Sequence, residues 1–318
     1  MRNHIDVRAA LKQGMARLRQ ARTPSHTLAT ELLLMHTLKR DRAWMYSHPE
    51  EVLDPGVAEN FFALIARRAA GEPTQYLTGQ QEFWGLQFEV TPAVLIPRPE
   101  TEHVMEVALA RLGERGIKIH MDTGAPRDSL HVADVGTGSG CLAVALAYEL
   151  PHAELYATDI SAAALEVAQR NAARHKIADR IHFIHGDLLT PFAAADWSDA
   201  EKINSEPSGA RNHQRFDVIV SNPPYISLDE ADQLQREVRD HEPHEALFGG
   251  RSGAEIYGRL IDQAGELLDE RGILVLELGH NSADYVRGIF DEQPGWTKVA
   301  ITTDLAGIPR VLAAERVR

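Results

Sequence analysis

The chain lacks the features that mark secreted, membrane-spanning or metal-dependent proteins. It has one cysteine in 318 residues, which excludes an internal disulfide and favours a reducing compartment. No apolar run approaches the roughly 20 residues of a membrane span, and Met1 to Asp6 are too polar for a secretory signal. The 15 histidines are scattered, without His-Glu-x-x-His or Cys-x-x-Cys, so we predict no metal site. These absences predict a cytoplasmic protein without a membrane partner.

Charge is unevenly distributed along a chain of ordinary globular composition. The length of 318 residues is enough for one large domain and a smaller one. Hydrophobic content of 44% and charged content of 25% are typical of a globular protein. Residues 1–70 hold 11 Lys and Arg against 7 Asp and Glu, a net +4, so the chain total of −13 leaves −17 for the remainder. The acidic remainder disfavours direct nucleic-acid binding. The basic segment is either a docking face for a protein or ribonucleoprotein partner or simply a solvated helical bundle.

Hydrophobic spacing divides the chain into a helical first part and a longer α/β part. Apolar residues recur at helical spacing through residues 1–80, which predicts a small N-terminal helical domain. Phe83 to Val90 and Ala93 to Ile96 have the composition of a β-hairpin, so residues 81–105 are expected to be a hairpin and linker. Strands and helices alternate over residues 106–318, which predicts an α/β domain with a mostly parallel sheet.

Two polar segments interrupt the α/β pattern. Leu112 to Asp128 precedes the first strand of the α/β part, and Ala193 to Arg215 delays the fourth strand by about 20 residues. The first is a polar linker; the second has loop composition, and we expect no catalytic role for it.

A glycine loop follows the first predicted strand of the α/β part. Leu130 to Val135 predicts a buried strand and Cys141 to Tyr148 a helix, with three glycines between them. Glycines let the backbone approach a ligand, and the helix N-terminus offers free N–H groups. The dinucleotide fingerprint requires glycine where Cys141 stands, so that fingerprint fails. The loop resembles instead the S-adenosylmethionine loop of class I methyltransferases, and its candidate cofactor-binding residues are Gly136, Thr137, Gly138, Ser139 and Gly140.

The next two strand ends supply further candidates. Asp159 ends the second strand about 20 residues past the loop, where a carboxylate can accept both hydrogen bonds of a ribose diol. Asp159 and Ser161 also precede a helical segment and could cap it, and the two roles are compatible. In the class I methyltransferases that the loop resembles, the turn after the third strand borders the adenine. This resemblance implies Asp187 near the adenine amino group and Leu188 against the adenine ring.

The fourth strand ends in Asn222-Pro-Pro-Tyr225. Two prolines stop a central strand, and strand ends are where α/β active sites lie. The Asn222 side-chain oxygen and the Pro223 carbonyl are candidate acceptors for the two hydrogens of a planar NH2 group. Tyr225 would stack on that group, Pro224 would line the substrate site, and Asn222 would also border the cofactor. The alternative is an ordinary proline turn. Arg98, Glu100 and Glu102 could form a surface charge cluster, but we favour a wall of the same cleft.

Across nearly its whole length the chain resembles the release-factor glutamine methyltransferases, the HemK/PrmC family. The resemblance rests on six segments: Gly71-Glu-Pro73, Glu82 to Gly85, Ile96 to Glu102, Asp134 to Gly140, Asn222 to Tyr225 and Ala246 to Gly250. It implies a Rossmann-like class I fold with a seven-stranded, mostly parallel sheet. It also implies methyl transfer from S-adenosylmethionine to the glutamine of the Gly-Gly-Gln motif in class I peptide-chain release factors, which the helical domain helps to recognise. The family often has a bulkier aromatic where Leu188 stands, and the loop at 193–215 is unusually long.

Three alternatives remain open at the level of sequence. A ribosomal-protein glutamine methyltransferase is the nearest, although such enzymes usually lack the Pro-Glu-Thr-Glu continuation seen at Pro99 to Glu102. An adenine-amino nucleic-acid methyltransferase would use the same Asn-Pro-Pro-Tyr tetrad, but it should carry a basic groove. A non-enzymatic binding module should have lost Asn222, Asp159 or a loop glycine, and all are present.

Overall fold

The computed structural model describes residues 5–117, 130–193 and 215–317. They form two compact units, one of Met1–Gln80 with Leu234–His241, the other of Gln81–Gln233 with Glu242–Arg318. The sequence did not indicate that Leu234–His241 groups with the N-terminal helices. The two predicted polar loops, except for their ends, lie outside the described residues.

The first unit is helical. Its helices are α1 (Val7–Gln20), α2 (His26–Leu38), α3 (Arg42–Ser47), α4 (Pro55–Ala69), α5 (Thr74–Thr78) and α10 (Arg236–His241). Helix α1 begins where the Asp6 carboxylate accepts a 2.7 Å hydrogen bond from the Ala9 N–H, a standard N-cap. Helix α5 is a short helix of five residues. It is limited by Pro73 at its start and by Gly79, with φ of 71°, at its end.

A β-hairpin, β1 (Gln80–Phe83) and β2 (Leu86–Glu89), starts at the last residue of the first unit and lies otherwise in the second. Trp84 and Gly85 form its turn with φ of 53° and 71°, the left-handed values that a two-residue type I′ turn requires. The predicted hairpin, with strands at 83–90 and 93–96, was therefore placed wrongly. The β-rich composition of 83–90 concealed a turn at Gly85, and 93–96 is a turn region ahead of two prolines.

The remaining elements of the second unit build a layered α/β domain. Its helices are α6 (Glu102–Glu114), α7 (Cys141–Glu149), α8 (Ala162–Arg174), α9 (Thr190–Ala193), α11 (His244–Leu247), α12 (Glu255–Leu267) and α13 (Ala283–Glu292). The main-sheet strands are β3 (Leu130–Val135), β4 (Ala153–Asp159), β5 (Ile181–His185), β6 (Phe216–Ser221), β9 (Leu268–Glu277), β10 (Trp296–Thr303) and β11 (Pro309–Arg316). A short ladder pairs β7 (Ile226–Ser227) with β8 (Phe248–Gly250).

The main sheet has seven strands in the order β10-β11-β9-β6-β3-β4-β5. Neighbours from β9 to β5 are parallel, whereas β11 runs antiparallel to both β9 and β10. The predicted seven-stranded, mostly parallel sheet is thus confirmed.

Both faces of the sheet are buried, as a parallel sheet requires. Along β9, Ile273 and Val275 pack into one apolar cluster, and Leu274 and Leu276 into another, because successive side chains point to opposite faces. Helices α6 and α7 cover the first face, and α12 and α13 the second. No helix among the described residues is long and apolar enough to cross a membrane.

Candidate active site

The sheet register brings the predicted strand-end residues together. Val135 pairs with Thr158 on one side and with Ser221 on the other, and Ser221 pairs in turn with Leu276. The residues that follow this row at the carboxyl edge are Gly136, Asp159, Asn222 and Glu277. Ligands of open α/β sheets bind outside this edge. Three of the four residues are predicted site residues, and Glu277 is an addition from the structure.

The glycine loop depends on left-handed backbone. Gly136, Gly138 and Gly140 have φ of 72°, 55° and 80°, values that side chains with a Cβ rarely adopt. The N–H groups of Gly136 and Thr137 both donate to the Thr158 carbonyl at 2.9 Å, which ties the loop to the end of β4. A Cβ at Gly136 would meet no described atom within 4 Å, so the backbone there faces open space.

Asp134, the acidic residue that begins the motif, is buried beneath the loop. Its Oδ2 accepts hydrogen bonds from the Thr137 hydroxyl at 2.6 Å and the Ala143 N–H at 3.0 Å. Burial raises the pKa of Asp134 to about 7, while these two hydrogen bonds act in the opposite direction. The carboxylate therefore fixes the loop to the start of α7 from inside.

Asp159 connects the loop to the end of β4. Its Oδ2 accepts from the Gly138 N–H at 2.8 Å and its Oδ1 from the Ser161 N–H at 2.9 Å. The side-chain cap of α8 is Ser161, whose hydroxyl accepts from the Ala164 N–H at 3.3 Å. Burial raises the pKa of Asp159. Each carboxylate oxygen has about two acceptor positions, so both can still accept from a diol. The ribose contact stays a prediction.

The turn after β5 is held close to the same edge. The Gly186 N–H donates to the Asp159 carbonyl at 3.0 Å, and Leu188 has a left-handed φ of 52°. The Asp187 Oδ2 lies 2.5 Å from the Arg259 Nη2, an ion pair that the sequence did not indicate. The adenine roles of Asp187 and Leu188 stay predictions.

The Asn222 amide is oriented by a specific contact. Its Nδ2 donates to the Thr101 hydroxyl oxygen at 3.0 Å, so its Oδ1 points away from Thr101. Ser221 donates to the Val135 carbonyl at 2.6 Å and fixes the preceding residue to β3. The tetrad therefore begins at a rigid strand end, and the Asn222 Oδ1 faces away from Thr101.

Tyr225 packs against a glycine of the neighbouring strand end. A Cβ at Gly279 would come within 2.5 Å of the Tyr225 Cδ2, so only glycine leaves room for the ring. The Tyr257 hydroxyl accepts from the Gly279 N–H at 3.1 Å and donates to the Glu277 carbonyl at 2.9 Å. Burial raises the pKa of Tyr225, and the nearby Glu277 raises it further.

A second glycine segment supports the tetrad backbone. Cβ atoms at Gly249 and Gly253 would approach the carbonyl oxygens of Pro224 and Tyr225 to 2.4 Å. Strand β8, which contains Gly249, pairs with β7 directly after the tetrad. The glycines allow this close backbone contact. The Ala246 to Gly250 segment thus has a structural role in the site, because its glycine lets the backbone pack against the tetrad.

The three charged residues predicted to wall the cleft each have a partner in the same unit. These pairs are Arg98 Nη2 with Glu242 Oε1 at 2.5 Å, Glu100 Oε1 with Arg310 Nη2 at 3.8 Å, and Glu102 Oε1 with the Trp84 N–H at 2.8 Å. Their contacts order the chain ahead of α6, and a direct role in the cleft stays a prediction.

Two contributors to the site were missed from sequence. Thr101 lies in the segment that was singled out, but no role was assigned to it. Glu277 had a visible signal, because it is an acid inside the apolar run Ile273 to Leu278. An acid at the end of a central strand is buried by the topology and requires a reason.

Fold and site together define a methyltransferase. Residues 126–293 match the Methyltransferase domain family. The solved catalytic domain of human METTL16, in complex with MAT2A 3′UTR hairpin 6, superposes with a TM-score of 0.52 at 17% identity, covering 79% of this chain and 81% of that one. At this identity the likeness concerns the fold alone.

The particular family follows from full-length relatives. Residues 9–79 match the PrmC N-terminal domain family. The release factor glutamine methyltransferase of Koribacter versatilis is 42% identical over 98% of this chain and 99% of that one. Those of Geobacter sulfurreducens and Moorella thermoacetica are 40% and 38% identical, over 90% and 98% of this chain and 88% and 99% of theirs. The chain belongs to the release factor glutamine methyltransferase family, as the sequence resemblance predicted.

Proposed function

We propose that the chain transfers a methyl group from S-adenosylmethionine to the side-chain amide nitrogen of the glutamine in the Gly-Gly-Gln motif of class I release factors. The observation that carries the proposal is an Asn-Pro-Pro-Tyr tetrad at the carboxyl edge of the sheet, in a chain similar over its whole length to release factor glutamine methyltransferases. The net charge of −13 disfavours the nucleic-acid alternative.

The residues at this edge fit S-adenosylmethionine. The loop from Gly136 to Gly140 presents backbone beside the N-terminus of α7, and Asp159 has acceptor capacity for a ribose diol. Asp187 and Leu188 would border the adenine on the neighbouring strand end. When bound, the cofactor supplies an electrophilic methyl group on a sulfonium centre.

The tetrad suits an amide substrate. A glutamine amide nitrogen is a poor nucleophile because its lone pair is delocalised into the carbonyl. The Asn222 Oδ1 and the Pro223 carbonyl would accept its two hydrogens, orient the nitrogen and stabilise positive charge that builds on it. Tyr225 would stack on the flat amide. No strong base is required, because the alkylated amide is acidic and loses its proton readily to water.

The substrate is tested with isotopically labelled S-adenosylmethionine and three acceptors: a class I release factor, a ribosomal protein and DNA. We expect label in the release factor, located by mass spectrometry to the glutamine of its Gly-Gly-Gln motif. A release factor with asparagine at that position is the matched control and should stay unlabelled. Preferential labelling of the ribosomal protein or DNA contradicts the proposed substrate.

The amide clamp is tested by Asn222→Ala. Loss of one preorganised polar contact to developing charge costs about 10²–10³ in turnover. Cofactor affinity should change far less, because the adenosine is held at other strand ends. Asn222→Asp keeps the shape but adds an anion, and it should be impaired less predictably. Near-normal methylation by Asn222→Ala would show that the clamp is wrong.

We further propose that the helical segment 1–80 recognises the protein substrate. Support comes from its net positive charge over residues 1–70 and from the exposed basic residues Arg8, Lys12 and Arg19, spaced along α1. Basic surfaces accelerate the association of an acidic partner by long-range attraction.

The docking proposal is tested with the full-length variant Lys12→Glu/Arg19→Glu. KM for the release factor should rise several-fold at low salt, and the difference should shrink at high salt as charges are screened. Lys176→Glu/Arg287→Glu makes the same change of charge at exposed positions of the other unit and should leave KM near normal. Equal effects of the two double variants would argue against a docking role.

A further inference from the structure

A hydrogen-bond chain leads from the tetrad to a buried carboxylate. The Asn222 Nδ2 donates to the Thr101 Oγ1 at 3.0 Å. Burial raises the pKa of Glu277, and a hydrogen bond from the Thr101 side chain acts in the opposite direction. A hydroxyl has one hydrogen to donate, and a carboxylate accepts only. When Glu277 is ionised, Thr101 therefore gives its hydrogen to Glu277 and receives one from Asn222. Only the nitrogen of the Asn222 amide can supply it.

The Thr101 and Glu277 side chains in this series of hydrogen bonds are buried. Thr101 is 2% and Glu277 3% exposed, and no described group hydrogen-bonds the Glu277 Oε2. Burial of a carboxylate with an unpaired oxygen costs free energy, so a buried acid of this kind requires a functional or structural reason. The charged groups that face Glu277 are Glu100, Arg98 and Arg310. Arg98 donates to Glu242 and Arg310 to Asp304, whereas the hydrogen-bond partner of the Glu277 carboxyl is Thr101.

We propose that Thr101 and Glu277 are positioning residues that select one of the two orientations of the Asn222 amide. The inference rests on the proposed amide clamp. In the selected orientation the Asn222 oxygen faces the substrate nitrogen and accepts its hydrogen. In the flipped orientation an NH2 group would face the substrate NH2 group, donor against donor. Thr101 and Glu277, called the relay below, thus determine whether the tetrad attracts or repels the glutamine amide.

The matched pair Thr101→Val and Thr101→Ser tests the relay in the full-length enzyme. Valine keeps the shape but removes the hydroxyl, and we expect turnover to fall about 10-fold, the scale of one hydrogen bond. Serine keeps the hydroxyl and should restore most of the rate. Binding of S-adenosylmethionine, measured by calorimetry, should stay within about twofold in both, since effects at separate contacts are nearly independent. Normal turnover by Thr101→Val overturns the inference.

At the carboxylate, Glu277→Gln is the conservative variant, because its amide oxygen can still accept from Thr101. Glu277→Leu has no acceptor and frees the hydroxyl to donate to the Asn222 oxygen. Glu277→Leu should therefore lose at least as much turnover as Thr101→Val, and Glu277→Gln clearly less. Equal losses in the two Glu277 variants contradict an orienting role for this position.

A double-mutant cycle separates positioning from general structural support. If Thr101 acts through Asn222, adding Thr101→Val to Asn222→Ala should lower the residual rate less than about twofold. A further loss equal to that of the single Thr101→Val variant overturns the inference. Absence of release-factor methylation by the wild-type enzyme would instead refute the proposed function, and the two failures are therefore distinct.

Nuclear magnetic resonance tests the hydrogen bond of the Asn222 amide independently of activity. In the wild-type protein the Asn222 side-chain NH2 should give two well-separated proton resonances, assigned by their loss in Asn222→Ala. Thr101→Val should move them toward the positions of a solvated amide, and Thr101→Ser should not. Unchanged resonances in Thr101→Val would refute the hydrogen bond even if that variant were less stable.

Discussion

Asp159→Ala perturbs the residue where loop geometry and the expected ribose contact coincide. The wild-type carboxylate accepts from the N–H groups of Gly138 at 2.8 Å and Ser161 at 2.9 Å. Alanine leaves both donors to water and removes the acceptor proposed for the ribose. Two effects are expected, a loss of stability and a loss of cofactor affinity.

The magnitude of the affinity loss follows from the charge on the acceptor. A hydrogen bond to a charged group contributes about 1.5–3 kcal/mol, which corresponds to a rise in Kd of roughly 10- to 150-fold. Isothermal titration calorimetry with S-adenosylmethionine measures this directly. The stability loss is read from Tm in the absence of cofactor.

Ser161→Ala is the matched control for Asp159→Ala. It removes the side chain that caps α8 through the Ala164 N–H, a loss of about 0.5–2 kcal/mol, but it touches no group proposed to bind cofactor. We expect Ser161→Ala to lower Tm and leave Kd near the wild-type value. If Asp159→Ala behaves in the same way, Asp159 only supports the loop, and the ribose assignment is refuted.

Further predictions concern packing and burial. Gly279→Ala should displace the Tyr225 ring and lower kcat with little change in cofactor Kd; normal kinetics would contradict the close contact. Burial raises the pKa of Glu277 to about 7, so the folded state holds a proton that the unfolded state releases above its ordinary value of 4.5. This contribution to stability is lost as pH rises through that window, and the Tm of Glu277→Gln relative to wild type should rise from about pH 5 to about pH 8; a constant difference would argue against the raised pKa. Arg68→Met removes the buried member of an ion pair with the partly exposed Glu237 and should cost up to about 3–5 kcal/mol, whereas Arg67→Met at the exposed neighbour should cost about 0–1 kcal/mol. Thermal melts that fail to separate these two would contradict the burial argument.

The central strands could be predicted because burial on both faces leaves a clear pattern. Strands such as β3 and β6 are short apolar runs that end at a glycine or at Asn-Pro-Pro. Since parallel strands end at one edge of a sheet, the order of Gly136, Asp159 and Asn222 along the chain was enough to place them together. The structure agrees with that inference through the register of β3, β4 and β6.

Features without a periodic signal were missed or displaced. The hairpin turn at Trp84 and Gly85 depends on two left-handed residues, and Trp84 is not a typical member of such a turn. Helix α5 is a single short turn held by its ends, and Leu234–His241 joins the N-terminal unit through tertiary contacts. Local composition carries little information on any of these, because they are decided by long-range packing and by specific backbone angles.

The relay behind Asn222 is the clearest case of a feature that local sequence could not supply. Thr101 lies 121 residues before Asn222. Glu277 and Asn222 follow paired residues at the same sheet edge because β6 and β9 are parallel neighbours. The substrate-facing amide is uncharged and symmetric in shape, so its own sequence position does not determine which atom faces the ligand. That choice requires a neighbour with one donor hydrogen and a second neighbour that claims it. An acid at the end of an otherwise apolar central strand is therefore a reason to search the adjacent strand end for an amide whose orientation it controls.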